Sequence, residues 1–238
     1  VIIDRETHHI HNPSLLWLMI GWREPDRIQS DLRQLARRGI EFVQADIQAI
    51  DPSERRVQTS SGEYASDYLV IALGAQPAPD LTPGFDDTAH TPYTLAGAAR
   101  LRDALQAFEG GRLVVAVTGL PYRCPAAPYE TAIMLHAYLK RRGLRDKTEL
   151  QMISPEGMPM GTAGPVMGDA IKGMLAERGI PFRALTGTRA IDAKARQLVL
   201  ESGEHIPFDL LVAVPAHRSP QVIRDSGLAN EAGWIPVD

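Results

Sequence analysis

The chain has 238 residues, 44% of them hydrophobic and 23% charged, which is enough to bury one large core or two modest ones. Its 25 Lys and Arg stand against 29 Asp and Glu, a net charge of -4, so the balance recommends small molecules or proteins as partners and argues against nucleic acid. A single cysteine, Cys124, excludes an internal disulfide and any metal site built on several thiolates.

Taken in chain order, Val1-Ile2-Ile3-Asp4-Arg5-Glu6 has no basic n-region and no long apolar run. It reads as a strand under way and not as a targeting segment. His8, His9 and His11 alternate as chelating histidines do, but no carboxylate or thiolate follows at a matching spacing, and no metal site is expected. Residues 15–20 are apolar but far too short to span a membrane, and no other stretch comes closer. Pro25 opens an expected helix with Ile28, Leu32 and Leu35 on one face, ending at Arg37-Arg38-Gly39 before a strand over 40–43.

A duplication then organises the rest. Ala49-Ile50-Asp51, Arg56-Val57-Gln58, Ser61-Gly62-Glu63 and the run 67–72 recur as Ala190-Ile191-Asp192, Gln197-Leu198-Val199, Ser202-Gly203-Glu204 and the run 209–214. The steady offset of about 140 residues implies two homologous α/β units. The helix before the second copy, through Ile171, Met174 and Leu175, ends at Glu177-Arg178-Gly179 as the first ends at Gly39.

The second unit has a longer front end. Residues 113–118 form a continuous β-branched and apolar run, expected to be a strand buried on both faces. A loop, a helix over about 128–142 and a strand over 149–154 follow. By the repeat, Val1 to Asp4 matches that last strand, so a β-loop-α of about 35 residues is expected to precede Val1, and the chain is expected to be truncated at both ends. Such a first β-loop-α would carry a glycine-rich, phosphate-cradling loop, and no G-x-G-x-x-G occurs in the 238 residues. The glycines of 157–168 have the wrong spacing and are expected in a mobile loop, with Met158, Met160 and Met167 packing it.

In the second unit the phosphate-loop position holds Gly119-Leu120-Pro121-Tyr122-Arg123-Cys124-Pro125-Ala126-Ala127-Pro128-Tyr129-Glu130. Its three prolines remove N–H donors, which suits holding a side chain better than binding pyrophosphate. Cys124 is expected just before a helix N-terminus and beside Arg123, where dipole and cation both favour the thiolate. Glu130, in the first turns of that helix, is suited to relaying a proton near the sulfur. On spacing alone, a small buried cysteine and a dipole-compensating acid are an equal alternative.

The segment 121–130 resembles the P-[YF]-[RK]-C-P-P-[AG]-P-[YF]-E motif of the sulfide:quinone reductases and the flavoprotein subunit of flavocytochrome c sulfide dehydrogenase. Asn12-Pro13-Ser14-Leu15-Leu16-Trp17 with Gly21 is similar to the family's flavin-side loop, and Ile71-Ala72-Leu73-Gly74-Ala75 to the segment closing its FAD domain. The resemblance implies an α/β fold of two Rossmann-like dinucleotide-binding units, the first incomplete. It divides the chain into a partial FAD-binding domain over 1–92, a second NAD-type domain with a degenerate nucleotide loop over 93–214, and a return segment over 215–238.

It further implies FAD as cofactor, held by Asp4 at the adenosine ribose, by the backbone near Ile47, and by Pro13, Ser14, Ala72, Leu73 and Gly74. Cys124 would be the redox-active residue, paired with a cysteine outside the chain, and Glu130 its proton-handling acid. Implied partners are sulfide or polysulfide and a quinone or cytochrome acceptor, with the protein at a membrane surface, in the periplasm or in the cytoplasm. The additional cysteine that many quinone reductases carry around 83–92 is missing here. A type II NADH dehydrogenase shares the implied fold, and a non-catalytic piece binding no FAD is the alternative from another class.

Overall fold

The duplicated sequence folds as a duplicated three-stranded meander. In the computed structural model, which describes residues 1–237, β5 (Ile47–Asp51), β6 (Arg56–Thr59) and β7 (Gly62–Ala65) form one antiparallel sheet. The second copy is β12 (Thr188–Asp192), β13 (Gln197–Leu200) and β14 (His205–Pro207). The two agree in their irregularities: the register shifts between Ile47 and Ala49 in one and between Thr188 and Ala190 in the other. Arg55 and Arg196, in the first hairpin turn of each, both take positive φ, 50° and 53°.

The chain divides into two units, the first made of Val1–His11, Gln29–Gln76 and the stretch from Arg218, the second of Asn12–Ile28 and Pro77–His217. In the first unit β1 (Ile2–Asp4) lies parallel to β4 (Phe42–Gln44), and β2 (His8–Ile10) antiparallel to β3 (Gln29–Asp31). The short α6 (Gln221–Asp225) packs on β5. In the second unit four parallel strands stand in the order β11 (Phe182–Arg183), β10 (Thr148–Ile153), β9 (Gly111–Val117), β15 (Leu210–Val214).

That spatial order is third, second, first and last in the chain, so the connections change direction between β9 and β15. Ligands of open α/β sheets bind outside the carboxyl ends of the strands at such a switch point. The loop leaving β9 is the one that carries Cys124.

Residues Leu113 through Val117 of β9 are fully buried. Val114 and Ala116, with Leu211 and Ala213 of β15, join a cluster with Ile191, Leu198, Ile206 and Phe208 of the meander, while α4 (Ala127–Arg141) packs against β9 and β10. Covering on both faces explains the unbroken apolar run, and each buried Val or Leu contributes roughly 1.5–3 kcal/mol. Leu15, Leu16, Leu18 and Met19 of α1 (Leu15–Met19) are buried as well. They pack against α3 (Leu95–Ala107), which places Asn12–Ile28 with the second unit.

Two expectations need correction, and one repeated segment differs from its counterpart. The helix from Pro25 to Arg38 is instead a 3-10 turn at Pro25–Arg27, the strand β3, and a 3-10 helix at Leu32–Arg38. The chain passes from one unit to the other between Ile28 and Gln29, and β3 gains a ladder with β2 that a helix would forgo. Only its end behaves as expected. Gly39 and Gly179 both adopt the left-handed conformation, φ 72° and 59°, and Ile40 and Ile180 donate to Leu35 O and Leu175 O at 3.2 and 3.0 Å.

The run 67–72, sequence counterpart of β15, is not a strand. Tyr68 and Val70 are 90% and 86% exposed. β15 exists by pairing with β9, and among the described residues of the first unit no strand stands where β9 does. The stretch 157–168 is not one loop: α5 (Pro165–Glu177) begins inside it, with Pro165 in its first turn, and Met158 packs against Gly168. Met167 is 46% exposed. Among the described residues no helix is long and apolar enough to cross a membrane.

Candidate functional site

The loop after β9 begins with a close backbone approach. A Cβ on Gly119 would lie 2.7 Å from Ala216 Cβ, so glycine is required where the chain leaves the sheet. The Leu120–Pro121 peptide is cis, and Pro121 O accepts the His217 N–H at 2.6 Å. Cys124 follows, exposed, with φ 57°. A residue other than glycine held in that left-handed region costs roughly 1–3 kcal/mol, and such residues cluster where a side chain must be presented in one direction.

The carbonyl of Cys124 accepts the Ala127 N–H at 3.1 Å and the Tyr93 hydroxyl at 3.4 Å. The helix α4 starts at Ala127, and its N-terminus has no side-chain cap. Glu130 sits in its first turn, exposed, donating its N–H to Ala126 O at 3.0 Å. Both expected catalytic residues therefore lie at the uncapped start of one helix.

Arg123 does not point away into solvent. Its guanidinium donates to Tyr93 O and stands 5.7 Å from the Tyr93 ring centroid; burial pulls its pKa below the usual arginine value. Tyr93 in turn meets the His217 ring edge-on at 5.2 Å. His217 is 3% exposed, its Nδ1 is 3.0 Å from Pro215 O, and its Nε2 is buried with no hydrogen-bond partner. Burial lowers its pKa, so the ring is neutral at neutral pH.

On the β10 side, one carboxylate oxygen gathers three hydroxyls. Tyr122, Tyr129 and Ser154 donate to Glu156 Oε2 at 2.7, 2.8 and 3.1 Å. Burial, with the bond to Glu156 second, raises the pKa of both phenols above the ordinary tyrosine range. Tyr129 is almost fully buried and packs edge-on against Phe182 of β11. Tyr93, Tyr122, Tyr129, Glu156 and His217 were not singled out as site residues in the sequence. Glu156 carried a usable signal, since it lies two residues past Ser154, the counterpart of Asp4 in the repeat.

Asp4 ends β1, and its Oδ1 accepts the Glu6 N–H at 2.9 Å. The pairing with β4 extends one bond past its last residue, as Ala45 N donates to Asp4 O at 3.0 Å. Ile47 starts β5, half-buried. Ala72, Leu73 and Gly74 are in irregular backbone, with Gly74 at φ 67°. These belong to the first unit, whereas Pro13 and Ser14, in the 3-10 turn Asn12–Ser14, belong to the second with Cys124 and Glu130. An open cleft of about 730 Å³ lined by residues including Phe85, His90, Thr94 and Arg100 contains none of them.

A parallel sheet whose first loop carries Cys124 at the switch point, with a three-stranded meander recurring in each unit, defines a dinucleotide-binding α/β type of architecture. The match is direct: residues 1–238 fit the family model of the pyridine nucleotide-disulphide oxidoreductases, and the chain belongs to that family. It is 25% identical over 252 residues to the mitochondrial sulfide:quinone oxidoreductase of Mus musculus, covering 100% of this chain and 55% of that one. The X-ray structure of the sulfide:quinone oxidoreductase of Aquifex aeolicus matches with a TM-score of 0.85 at 28% identity, over 97% of this chain and 56% of that one. A protein of Mycobacterium tuberculosis described as NADH dehydrogenase-like is 30% identical over 215 residues, 84% of this chain and 51% of its own. The chain spans about half the length of the curated relatives it matches.

Proposed function

We propose that the chain is part of an FAD-dependent oxidoreductase that oxidises sulfide, or a related sulfur species, through Cys124 and passes the electrons to a quinone or cytochrome. The observation that carries this is the exposed, left-handed Cys124 on the loop after β9. A pyrophosphate site there would need a run of free N–H groups, and the loop offers prolines and a thiol. The relatives named for sulfide:quinone oxidation support the substrate.

The residues fit a flavin dinucleotide in chemistry. Asp4 is a carboxylate at the carboxyl end of a parallel strand, with Oδ2 left to accept from ribose hydroxyls once Oδ1 has taken the Glu6 N–H. Ile47, Ala72, Leu73 and Gly74 would supply backbone contacts in the same unit, and Pro13 and Ser14 would line the flavin side. FAD, when bound, supplies the two-electron acceptor. Conversion of HS⁻ and the Cys124 thiol to a persulfide releases two electrons, which bound FAD would be there to accept, and one proton, which Glu130 would take. Contact with a membrane, where the acceptor is a quinone, is peripheral.

NADH as the donor is the second reading, favoured by the NADH dehydrogenase-like relative. Against it, the β10 end that would meet a ribose holds Ser154, and the nearby Glu156 carboxylate is engaged by three hydroxyls. Anaerobic addition of sulfide to the full-length flavoprotein decides between them. Flavin bleaching in the wild type that is lost in Cys124→Ser supports the sulfide reading. Flavin that stays oxidised in sulfide but bleaches with NADH establishes the other.

A further inference from the structure

Cys124 sits in a segment with no regular secondary structure between β9 and α4, yet its direction has to be fixed for it to present sulfur to a second reactant. Two tyrosines bracket it in the chain, Tyr122 two residues before and Tyr129 five residues after. Both hydroxyls reach across to the same atom, Glu156 Oε2, at 2.7 and 2.8 Å. Glu156 is itself held by its backbone, since its N–H donates to Ser154 Oγ at 3.1 Å and its carbonyl accepts the Leu185 N–H at 3.0 Å. The carboxylate is thus a fixed post next to β10, and the cysteine segment is tied to it at both ends.

We infer that Glu156 is a positioning residue for Cys124, acting through Tyr122 and Tyr129; the inference rests on the proposed role of Cys124 in sulfur chemistry. Three O–H donors converge on one oxygen, and a charged carboxylate oxygen holds such bonds roughly twice as strongly as a neutral amide oxygen does. Glutamine at this position keeps the volume and loses the charge, so at least one tyrosine is released. Freed at one end, the segment lets Cys124 leave its left-handed conformation, which nothing in its own side chain favours. The outcome is a correctly folded protein with a misdirected thiol.

The test uses the full-length flavoprotein and follows anaerobic flavin reduction by sulfide in wild type, Glu156→Gln, Tyr122→Phe/Tyr129→Phe and the triple variant, with Cys124→Ser alongside. Expected is a fall of roughly ten- to a hundredfold in the maximal rate per bound flavin for Glu156→Gln, the scale set by misplacing a reacting group by about an ångström. The half-saturating sulfide concentration should change little. The triple variant should be no slower than Glu156→Gln alone, because the residues act as one unit. Flavin content or melting temperature that falls while the rate per flavin holds would make Glu156 a purely structural residue and overturn the inference, as would losses that multiply in the triple variant. Should Glu156→Gln fail to fold, the tyrosine pair, which keeps the carboxylate, carries the same test. Reduction that survives in Cys124→Ser sinks the proposed function instead, so the two failures are distinguishable.

Discussion

Asp4 and Ser154 hold equivalent places at the ends of β1 and β10 and make the same local turn, each side-chain oxygen accepting the N–H of the residue two ahead, at 2.9 and 3.1 Å. The residue two ahead is a glutamate both times, Glu6 and Glu156. What differs is charge at the strand end. The first unit keeps a carboxylate with an oxygen to spare, and the second has a hydroxyl that donates to Glu156. The ribose contact proposed for Asp4 and the tethered loop at Glu156 thus rest on one duplicated strand end.

From this difference, Asp4→Asn in the full-length protein should weaken flavin binding about tenfold or more, because a hydrogen bond to a charged acceptor is worth roughly 1.5–3 kcal/mol. Ser154→Ala should leave flavin affinity unchanged. Titration of the apoprotein with FAD, read by flavin fluorescence, checks both; equal losses would remove Asp4 from the cofactor site.

His217 should give the protein an acid-sensitive step. Its folded pKa is depressed, chiefly by burial, so below about 6.5 the unfolded chain binds a proton that the folded chain refuses. Stability from this group is full above that pH and declines as pH falls through and below it. Denaturant midpoints measured between pH 8 and 5 should drop in the wild type and drop less in His217→Gln. Parallel curves for the two proteins would contradict the assignment.

Arg112 and Asp209 clamp the start of β9 to the start of β15, with Asp209 Oδ2 and Oδ1 accepting from the Arg112 guanidinium at 3.0 Å each and Oδ2 from the Arg112 N–H at 2.8 Å. The Arg112 side chain, through these bonds, holds the Asp209 pKa down at about 2. A depressed carboxylate stabilises the fold above its unfolded value near 4 and loses that contribution as pH falls toward 2. Both side chains are 41% exposed, so solvent screening limits the effect to about 1 kcal/mol. Asp209→Asn should accordingly lower stability modestly at pH 7, with the gap to wild type closing in acid, as urea titrations at several pH values would show.

Local patterning determined a good deal by itself. The short, β-branched apolar run of β9 pointed to a strand covered on both faces, and the helix ends at Gly39 and Gly179 follow from glycine's freedom at positive φ. The repeated triplets of the meanders are likewise set by alternation and turn residues, and the cysteine motif is contiguous in the chain. Tertiary structure decided the rest. Residues 25–38 break into a strand between two turns because the chain there passes from one unit to the other, and no helical periodicity can report that. The run 67–72 matches β15 in sequence but not in structure, since a strand is defined by a partner. The bond between Tyr122 and Glu156 joins residues 34 apart: it exists because β9 and β10 lie side by side, a fact of pairing between strands that neither segment encodes alone.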